Sequence, residues 1–575
     1  MAGLQRGGGG LLSFFRHQKT TLVSLALFSA TINVLALTGS IFMLQIYDRV
    51  LGSRSIPTLV ALTGIVCCLY AMNGALDVVR SRLLVRLGAR FDEMYAKTVH
   101  RATLTIPLRM GQEGEAISPV RELDTLRSFF SGTAIVAIMD APFMPIFLAF
   151  LFVLHPWLGW LTIAGALVLS ILALLTEIFS RRPLTSTLGA ALKRDMLTAN
   201  GRRNAEVLKA MGFADRITER WLNISRAFIS SSRSVSDVTG GLGGLSKSFR
   251  GLLQSLILAM AAWLVIRGEL SAGSIIAGSI AAGRALAPIE LAIANWKSFM
   301  AARKSRKKLA KVLDALPSPA EPMKLAAPCQ FLIVDGLFAA PPGTSKPTIQ
   351  NITMSLTAGD AVGVIGPSAA GKSTLARAVV GAWPTLKGSV RLDGAKLDQW
   401  DDRELGRHIG YLPQGIELID GTVAENISRF DEGACPLAIA AAAKAADVHD
   451  MILRLPQGYE TRLGEHGTAL SAGQRQRIGL ARALYREPFL VVLDEPNSNL
   501  DAEGDAALGA AIRGVRDRGG VVLLIAHRPS ALGAVDLVAV MSNGMLKDFG
   551  PRETVLRANV SRASANLTLI SDPTS

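Results

Sequence analysis

Long apolar runs dominate the first half of the chain. There are six of them, at residues 20–44, 56–76, 131–154, 157–176, 251–266 and 271–289. A helix needs about 20 apolar residues to cross a bilayer. The fifth run is shorter than this, but apolar and Gly-rich sequence lies just before it. The pattern predicts six membrane-spanning helices, and the first run is too long for the apolar part of a cleaved signal.

The charges between these runs indicate an orientation. The links at 77–130 and 177–250 contain nine and thirteen Lys and Arg, whereas those at 45–55, 155–156 and 267–270 contain two, none and one. Positively charged links stay on the cytoplasmic side, so we expect both termini in the cytoplasm. The two long links have helical patterns and few breakers, which predicts helices that continue beyond the membrane.

Ionisable residues interrupt two of the runs. Asp140 lies in the third and Arg284 in the sixth. Either would cost about 2.5–3.5 kcal/mol at the lipid-facing centre of a bilayer, so both are expected to face the bundle interior. A role in a transport path or in gating is open, and so is a structural role as an ion pair or at a helix end. Glu290 has no assigned role. Three prolines should kink or interrupt these helices: Pro142, Pro145 and Pro288.

A basic helical run follows the last span, at residues 297–311. It is typical of a helix end that meets anionic lipid headgroups, and a solvated basic face would have the same pattern. Four prolines between 317 and 328 then indicate a linker.

The second half changes to short β-rich runs that alternate with helical ones, as in an α/β domain. The strand candidate 361–365 leads into GxxxxGK[ST] at 366–374, and a helical pattern follows. Its glycines let backbone N–H groups point at phosphates, its lysine supplies a charge between them, and its serine offers a hydroxyl to Mg²⁺. This Walker A loop consists of Gly366, Pro367, Ser368, Ala369, Ala370, Gly371, Lys372, Ser373 and Thr374.

Further motifs complete a nucleotide site. The apolar run 489–493 ends in Asp494, a ligand for Mg²⁺, and Glu495, a general base for the attacking water. Gln414 is placed to reach the metal or the water from a loop, and His527 ends another apolar run. The motif 470–477 places Ser471 and Gly473 at a helix start, which is a second phosphate-binding cap.

Composition and charge agree with a membrane half joined to a soluble half. Of the 575 residues, 50% are apolar and 19% are charged. Residues 1–324 hold 37 Lys and Arg against 19 Asp and Glu, and the remainder holds 24 against 27. A uniformly basic nucleic-acid binder would not divide in this way. Four Cys without a CxxC or a His/Cys cluster exclude a disulfide scaffold and give no sign of zinc.

The order of these motifs resembles an ATP-binding cassette, and six spans ahead of it resemble an ABC exporter half-transporter. The runs 47–55, 118–129, 154–159 and 283–288 are similar to the type I secretion ATPases that export alkaline proteases. The resemblance implies a six-helix all-α transmembrane domain fused to an α/β P-loop cassette. The expected parts are a cytoplasmic segment (1–19), the transmembrane domain (20–312), a linker (313–329), the cassette (330–560) and a disordered tail (561–575).

The resemblance also implies ATP and Mg²⁺ as cofactors, with Ser373, Gln414 and Asp494 around the metal and His527 on the γ-phosphate. It implies a homodimer in which Ser471, Gly473, Gln474 and the D-loop residue Asp501 complete the partner's site. It further implies a protein substrate with an uncleaved C-terminal signal, a periplasmic adaptor, an outer-membrane channel and a location in the bacterial inner membrane. Only 19 residues precede the first span, so no peptidase-like domain is expected there.

Some residues depart from the family pattern. Ala369 and Ala370 replace a Gly and a Ser of the P-loop, and Ala472 replaces the second Gly of the signature. The aromatic residue that usually stacks on adenine is missing, since Ala340 stands there, and the nearby Phe338 is more typical of a core residue. Two other functions share parts of this pattern. An exporter of lipid or small molecules would have the same cassette, and a soluble repair or translation ATPase is hard to reconcile with six spans.

Overall fold

The computed structural model describes residues 14, 16–111, 114, 118–316, 325–464, 467, 470–498, 502–526 and 529–558. The chain divides into two compact units. The first comprises residues 1–105 and 116–318, and the second comprises residues 106–115 and 319–575. Residues 317–324 of the expected linker, and the expected tail after 560, lie outside the described residues.

The described residues of the first unit are helical apart from short connections. A π-helical turn at Ile46–Val50 joins its second and third helices. The helices are α1 (Lys19–Leu35), α2 (Thr38–Gln45), α3 (Leu51–Ser53), α4 (Ile56–Met110, whose end falls in the second unit), α5 (Pro119–Ser131), α6 (Thr133–Asp140), α7 (Met144–Leu154), α8 (Pro156–Arg203), α9 (Ala205–Ala210), α10 (Ala214–Ile266), α11 (Ala272–Ala294) and α12 (Trp296–Ala315).

Six helical segments among the described residues are long and apolar enough to cross a membrane, which confirms the six predicted spans. The third is interrupted where Pro142 predicts it, because a 3-10 turn at Ala141–Phe143 separates α6 from α7. Pro288 does not interrupt its helix, since α11 continues through it to Ala294, and a kink there stays a prediction. A proline ring removes one backbone donor, and here the helix tolerates the loss.

Three of the helices are much longer than a membrane requires. Helices α4, α8 and α10 contain 55, 48 and 53 residues. At a rise of 1.5 Å per residue they are about 70–80 Å long, whereas the apolar core of a bilayer is about 30 Å thick. Each helix therefore continues well beyond its apolar segment, as the helical pattern of the two long links predicts.

The basic run after the last span forms α12, which has one packed face. The Ser305 hydroxyl donates to a carboxylate oxygen of Glu122 at 2.6 Å, and Lys308 Nζ donates to the other oxygen at 2.5 Å. This carboxylate is nearly buried. The opposite face exposes Arg303, Arg306, Lys307 and Lys311. Contact of that face with lipid headgroups stays a prediction.

The second unit has two sheets. The strands are β1 (Phe331–Ala339), β2 (Ile349–Thr357), β3 (Ala361–Ile365), β4 (Thr385–Leu392), β5 (Ala395–Lys396), β6 (Ile409–Leu412), β7 (Leu490–Asp494), β8 (Val521–Ile525), β9 (Leu537–Ser542) and β10 (Met545–Pro551). An antiparallel sheet has the order β2-β1-β4-β5. The larger sheet has the order β10-β9-β3-β8-β7-β6, and its strands are parallel except for β10.

Helices surround the parallel strands. They are α13 (Lys372–Val379), α14 (Asp402–His408), α15 (Val423–Ile427), α16 (Pro436–Ala445), α17 (His449–Leu453), α18 (Ala472–Leu484) and α19 (Ala502–Asp517). Strands β3, β7 and β8 are buried, so their continuous apolar sequence fits a parallel sheet that is covered on both faces. The predicted motifs follow the carboxyl ends of β3, β6, β7 and β8, the edge where open α/β sheets bind ligands.

Arg429 ties together several elements of this unit. Its guanidinium donates to the carbonyl oxygens of Gly406, Ile409, Arg482 and Ala483 at 2.6–3.1 Å. Burial lowers the pKa of Arg429 to about 10. The side chain therefore fastens α14 and β6 to the end of α18.

Candidate functional site

The Walker A loop between β3 and α13 has a backbone that depends on glycine. Gly366 has φ +151° and Gly371 has φ +96°. A Cβ atom on Gly366 would lie 2.2 Å from the Met541 carbonyl oxygen, and one on Gly371 would lie 2.6 Å from Ile349 Cγ2. Both positions exclude a side chain. Ala369 also adopts the left-handed conformation, at φ 64°, which costs about 1–2 kcal/mol for a residue with a Cβ.

Lys372 is the first residue of α13, and its side chain turns back over the loop. Its Nζ donates to the carbonyl oxygens of Gly366 and Pro367, both at 2.9 Å. The residue is 5% exposed. Burial lowers the pKa of its ammonium group, and the negative charges of Glu495 and Asp494 oppose that shift. The loop thus surrounds a buried cation whose hydrogen-bond partners among the described residues are both carbonyl oxygens.

The next residue connects the Walker A loop to strand β7. The Ser373 hydroxyl donates to Asp494 Oδ1 at 3.2 Å. Asp494 is 0% exposed, and its Oδ2 has no hydrogen-bond partner among the described residues. Burial raises the pKa of this carboxyl, and the hydrogen bond from Ser373 opposes the rise. A buried carboxylate with an unused oxygen beside a hydroxyl is a donor set that suits a hard divalent cation.

Glu495 follows directly at the end of β7. Its backbone is left-handed, at φ 53°, and its N–H donates to the Ile525 carbonyl of β8 at 3.1 Å. Gln414, in the loop after β6, donates through Nε2 to Glu495 Oε2 at 2.9 Å. Two of the residues proposed to act on the water thus lie together, and the carboxylate is only half buried.

The signature motif starts helix α18. The Ser471 hydroxyl accepts from the Gln474 backbone N–H at 3.2 Å, and the Gln474 side chain accepts from the Ser471 N–H at 2.9 Å. This capping box orders the helix start while Ser471 and Ala472 remain exposed. Within the described residues, no hydrogen bond joins Ser471 to the Walker A loop.

Gln476, also in this helix, is a residue for which the sequence predicted no function. It is 2% exposed, and its Nε2 donates to the carbonyl oxygens of Pro496 and Glu495. It therefore links α18 to the backbone that carries the proposed base. The only available signal is a polar residue on the otherwise apolar face of α18.

The adenine-stacking position is occupied by a buried alanine. Ala340 is 3% exposed and follows β1. The adjoining Ala339 carbonyl accepts from Thr348, whose own carbonyl lies 3.3 Å from the Cβ position of Gly371. The end of β1 thus lies beside the Walker A loop. The core position expected for Phe338 is not found, because it is half buried with Lys387 Nζ 5.7 Å from its ring centre.

The remaining predicted site residues divide into three groups. Ala370 and Thr374 are buried in the Walker A segment, whereas Pro367 and Ser368 are exposed on it. Gly473 lies in the first turn of α18. His527 and Asp501 lie outside the described residues. The structure thus brings together Lys372, Ser373, Gln414, Asp494 and Glu495.

Comparison with known proteins gives two family matches. Residues 22–282 match the ABC transporter transmembrane region, and residues 349–498 match the ABC transporter family. The chain is 50% identical over 541 residues to the type I secretion system ATP-binding protein PrsD of Rhizobium meliloti, which covers 94% of this chain and 93% of PrsD. It is 30% identical over 555 residues to the leukotoxin translocation ATP-binding protein LktB of Mannheimia haemolytica, covering 94% and 77% of the two chains.

The fold also resembles a solved structure, that of a bacterial Atm1-family ABC exporter with ATP bound. The TM-score is 0.82, and the match covers 97% of this chain and 99% of the other. The identity is 20%, so the likeness extends to the fold alone.

Proposed function

Because this chain belongs to the type I secretion ATP-binding proteins within the ABC transporters, we propose that it uses ATP hydrolysis at this site to export an unfolded protein with a C-terminal signal. Members of this family bind ATP and hydrolyse it to drive transport, and the chain is a multi-pass protein of the inner membrane. The likeness to PrsD and LktB favours protein export over the lipid or small-molecule alternative.

The observation that carries the proposal is the contact between Ser373 and Asp494. It joins the phosphate-binding loop to the carboxylate strand at 3.2 Å. The residues fit Mg²⁺, because Asp494 Oδ2 lacks a hydrogen-bond partner among the described residues and a serine hydroxyl adjoins it. We assign Ser373, Asp494 and Gln414 to the metal, which would neutralise charge on the phosphates when bound.

The chain's own groups then have separate tasks. Backbone N–H groups of residues 366 and 368–374, which include the start of α13, bind the phosphates. Lys372 exchanges its two carbonyl partners for phosphate oxygens. Glu495 accepts the proton of the attacking water, and Gln414, which donates to that carboxylate, orients it. His527 is assigned to the γ-phosphate by family resemblance.

We also propose that two copies form the working unit. One chain has one Walker A loop, one signature motif and six spans, so a two-fold dimer would have two sites and twelve spans. The exposed start of α18 supports this arrangement, since its Ser471, Gly473 and Gln474 would face the partner's nucleotide. Asp501 is assigned to the same site by family resemblance. Nucleotide binding would then close the cassettes and hydrolysis would release them.

Other partners follow from family membership and belong to the same proposal. They are a secreted protein, a periplasmic adaptor and an outer-membrane channel that continue the path. The basic links support the proposal that both termini lie in the cytoplasm.

Glu495→Gln tests the assigned base. We expect the purified full-length protein to bind ATP with unchanged affinity but to hydrolyse it about 10²–10⁴-fold more slowly. The matched control is Glu503→Gln, which neutralises an exposed carboxylate in the first turn of α19. Normal turnover in Glu495→Gln would remove Glu495 from this role.

A titration tests the cargo. ATPase activity of the reconstituted protein is measured against C-terminal fragments of proteins encoded nearby and, separately, against lipids. We expect a saturable change with one fragment that is lost when its end is truncated. A response to lipids with indifference to every fragment would contradict protein export.

A further inference from the structure

Three ionisable residues lie within or beside the apolar segments of the third and sixth spans: Asp140, Arg284 and Glu290. Two of them, Asp140 and Glu290, form ion pairs with arginines of the same chain. Asp140 accepts hydrogen bonds from Arg80 at 2.8 Å and from Asn33 at 3.0 Å. Glu290 of α11 forms an ion pair with Arg250 of α10. Each of these carboxylates therefore has an internal cationic partner, as a structural ion pair requires.

Arg284 differs from both. It is the thirteenth of the 23 residues of α11, about 18 Å from the helix start. Its neighbours Ala281, Ala282, Ala285 and Leu286 are buried, whereas its own side chain is exposed. Within the part of the chain that the structure describes, its guanidinium has no hydrogen-bond or ion-pair partner.

The position of α11 makes lipid an unsuitable surrounding for this charge. The helix packs against α2, α6, α7, α8 and α10, so five helices of the same chain enclose most of its surface. One stripe at helical spacing is less covered, since Arg284 and Leu291 are exposed on it and Ile280 and Ala287 are half buried. A guanidinium at this depth costs about 2.5–3.5 kcal/mol if it faces lipid. A stripe that faces water avoids this cost.

We propose that Arg284 lines the aqueous translocation path and binds acidic side chains of the transported polypeptide. This inference rests on the proposed function, since it assumes protein cargo and a two-fold dimer. In such a dimer the two Arg284 side chains face one path, and their repulsion keeps it hydrated. A carboxylate that passes between them is the favourable counter-charge, because the low-dielectric walls strengthen the attraction. The net charge of +18 on residues 1–324 also attracts acidic polypeptide.

Thiol reactivity tests whether the position faces water. Cys67, Cys68, Cys329 and Cys435 are first replaced by Ser, and Arg284→Cys is then introduced in the full-length protein in liposomes. The control is Leu167→Cys, an exposed apolar position on α8 at a matched depth of about 17 Å from the helix start. We expect a charged methanethiosulfonate reagent to label the first variant at least about tenfold faster, because such reagents react with water-exposed thiolates. Equal, slow labelling would overturn the proposal.

Peptide selectivity tests the contact with cargo. Two unfolded peptides of 30 residues, identical except that one has Asp where the other has Lys, are titrated against ATPase activity of the reconstituted protein. We expect Arg284→Gln to raise the half-maximal concentration of the acidic peptide at least about fivefold. Arg284→Lys should retain the preference, and Arg284→Glu should transfer it to the basic peptide. The control Arg233→Gln removes an exposed charge from α10.

The outcomes separate this inference from the proposed function. If the wild type responds to neither peptide and to no fragment, protein export itself is contradicted. If the wild type prefers the acidic peptide and Arg284→Gln keeps that preference unchanged, only the role of Arg284 is overturned.

Discussion

Asp494→Asn should stabilise the nucleotide-free cassette while abolishing ATP turnover. The wild-type carboxylate is fully buried, receives one hydrogen bond from Ser373, and leaves Oδ2 without a partner among the described residues. An unsatisfied buried polar group costs about 1–3 kcal/mol, and more when it is charged. Asparagine has the same shape and removes the charge, but it leaves an amide in the same place. We therefore expect a net gain of about 1–2 kcal/mol.

The assay is thermal unfolding of the full-length protein in detergent, with EDTA and no nucleotide. A gain of this size corresponds to about 2–8 °C for a domain of 150–250 residues. The pH dependence identifies the cause. Because burial raises the pKa of Asp494 above its unfolded value, the wild type loses stability as pH rises through the folded pKa. The advantage of Asp494→Asn should thus be largest at neutral pH and shrink on acidification.

Addition of Mg²⁺ and ADP should reverse the order, since only the carboxylate gains from the cation. An Asp494→Asn protein that is less stable than the wild type without ligand, or whose difference from it is independent of pH, would refute the reasoning.

Three further substitutions test other parts of the structure. Gly371→Ala should weaken ATP binding more than about tenfold in a binding titration, because the added Cβ would lie 2.6 Å from Ile349 Cγ2 and the backbone φ is +96°. The control is Gly514→Ala in α19, where an added Cβ would have no heavy atom within 4 Å. Arg429→Lys should lower the free energy of unfolding by about 2–4 kcal/mol in denaturant, since one ammonium group cannot donate to all four carbonyl oxygens. Unchanged stability would contradict this. Asp48→Ala removes the acceptor of the Gly273 N–H at 2.9 Å and should speed hydrogen exchange in the first turn of α11 about fivefold, whereas Asp48→Asn should not.

Local sequence patterns were sufficient to predict the membrane spans and the phosphate-binding loop. Apolar runs predicted the spans because lipid requires an uninterrupted apolar surface. The Walker A loop was predictable because its glycines, lysine and serine are adjacent in sequence. The ends of the helices were not predictable in this way. Helix α4 continues for about thirty residues beyond its apolar run, and nothing in the hydropathy marks where it stops.

Contacts between distant residues could not be predicted. Arg80 and Asp140 are 60 residues apart, and only the packing of α4 against neighbouring helices makes them partners. Gln476 and Arg429 are similar, since both act through hydrogen bonds to backbone carbonyls that no residue type signals. The prediction that Phe338 is a core residue was wrong, because a half-buried aromatic residue beside Lys387 has the same strand spacing as a core residue.

The ion pair of Arg80 and Asp140 has a consequence for how this chain can vary. The two members of this pair differ. Arg80 also pairs with Asp77 at 2.6 Å, so loss of Asp140 leaves the guanidinium a second carboxylate. Loss of Arg80 leaves the mostly buried Asp140 carboxylate without its cation, and removing one partner of a buried pair costs about 3–5 kcal/mol. A substitution of Arg80 should therefore persist only where position 140 is already neutral, and aligned relatives should show a carboxylate at 140 only together with a cation at 80.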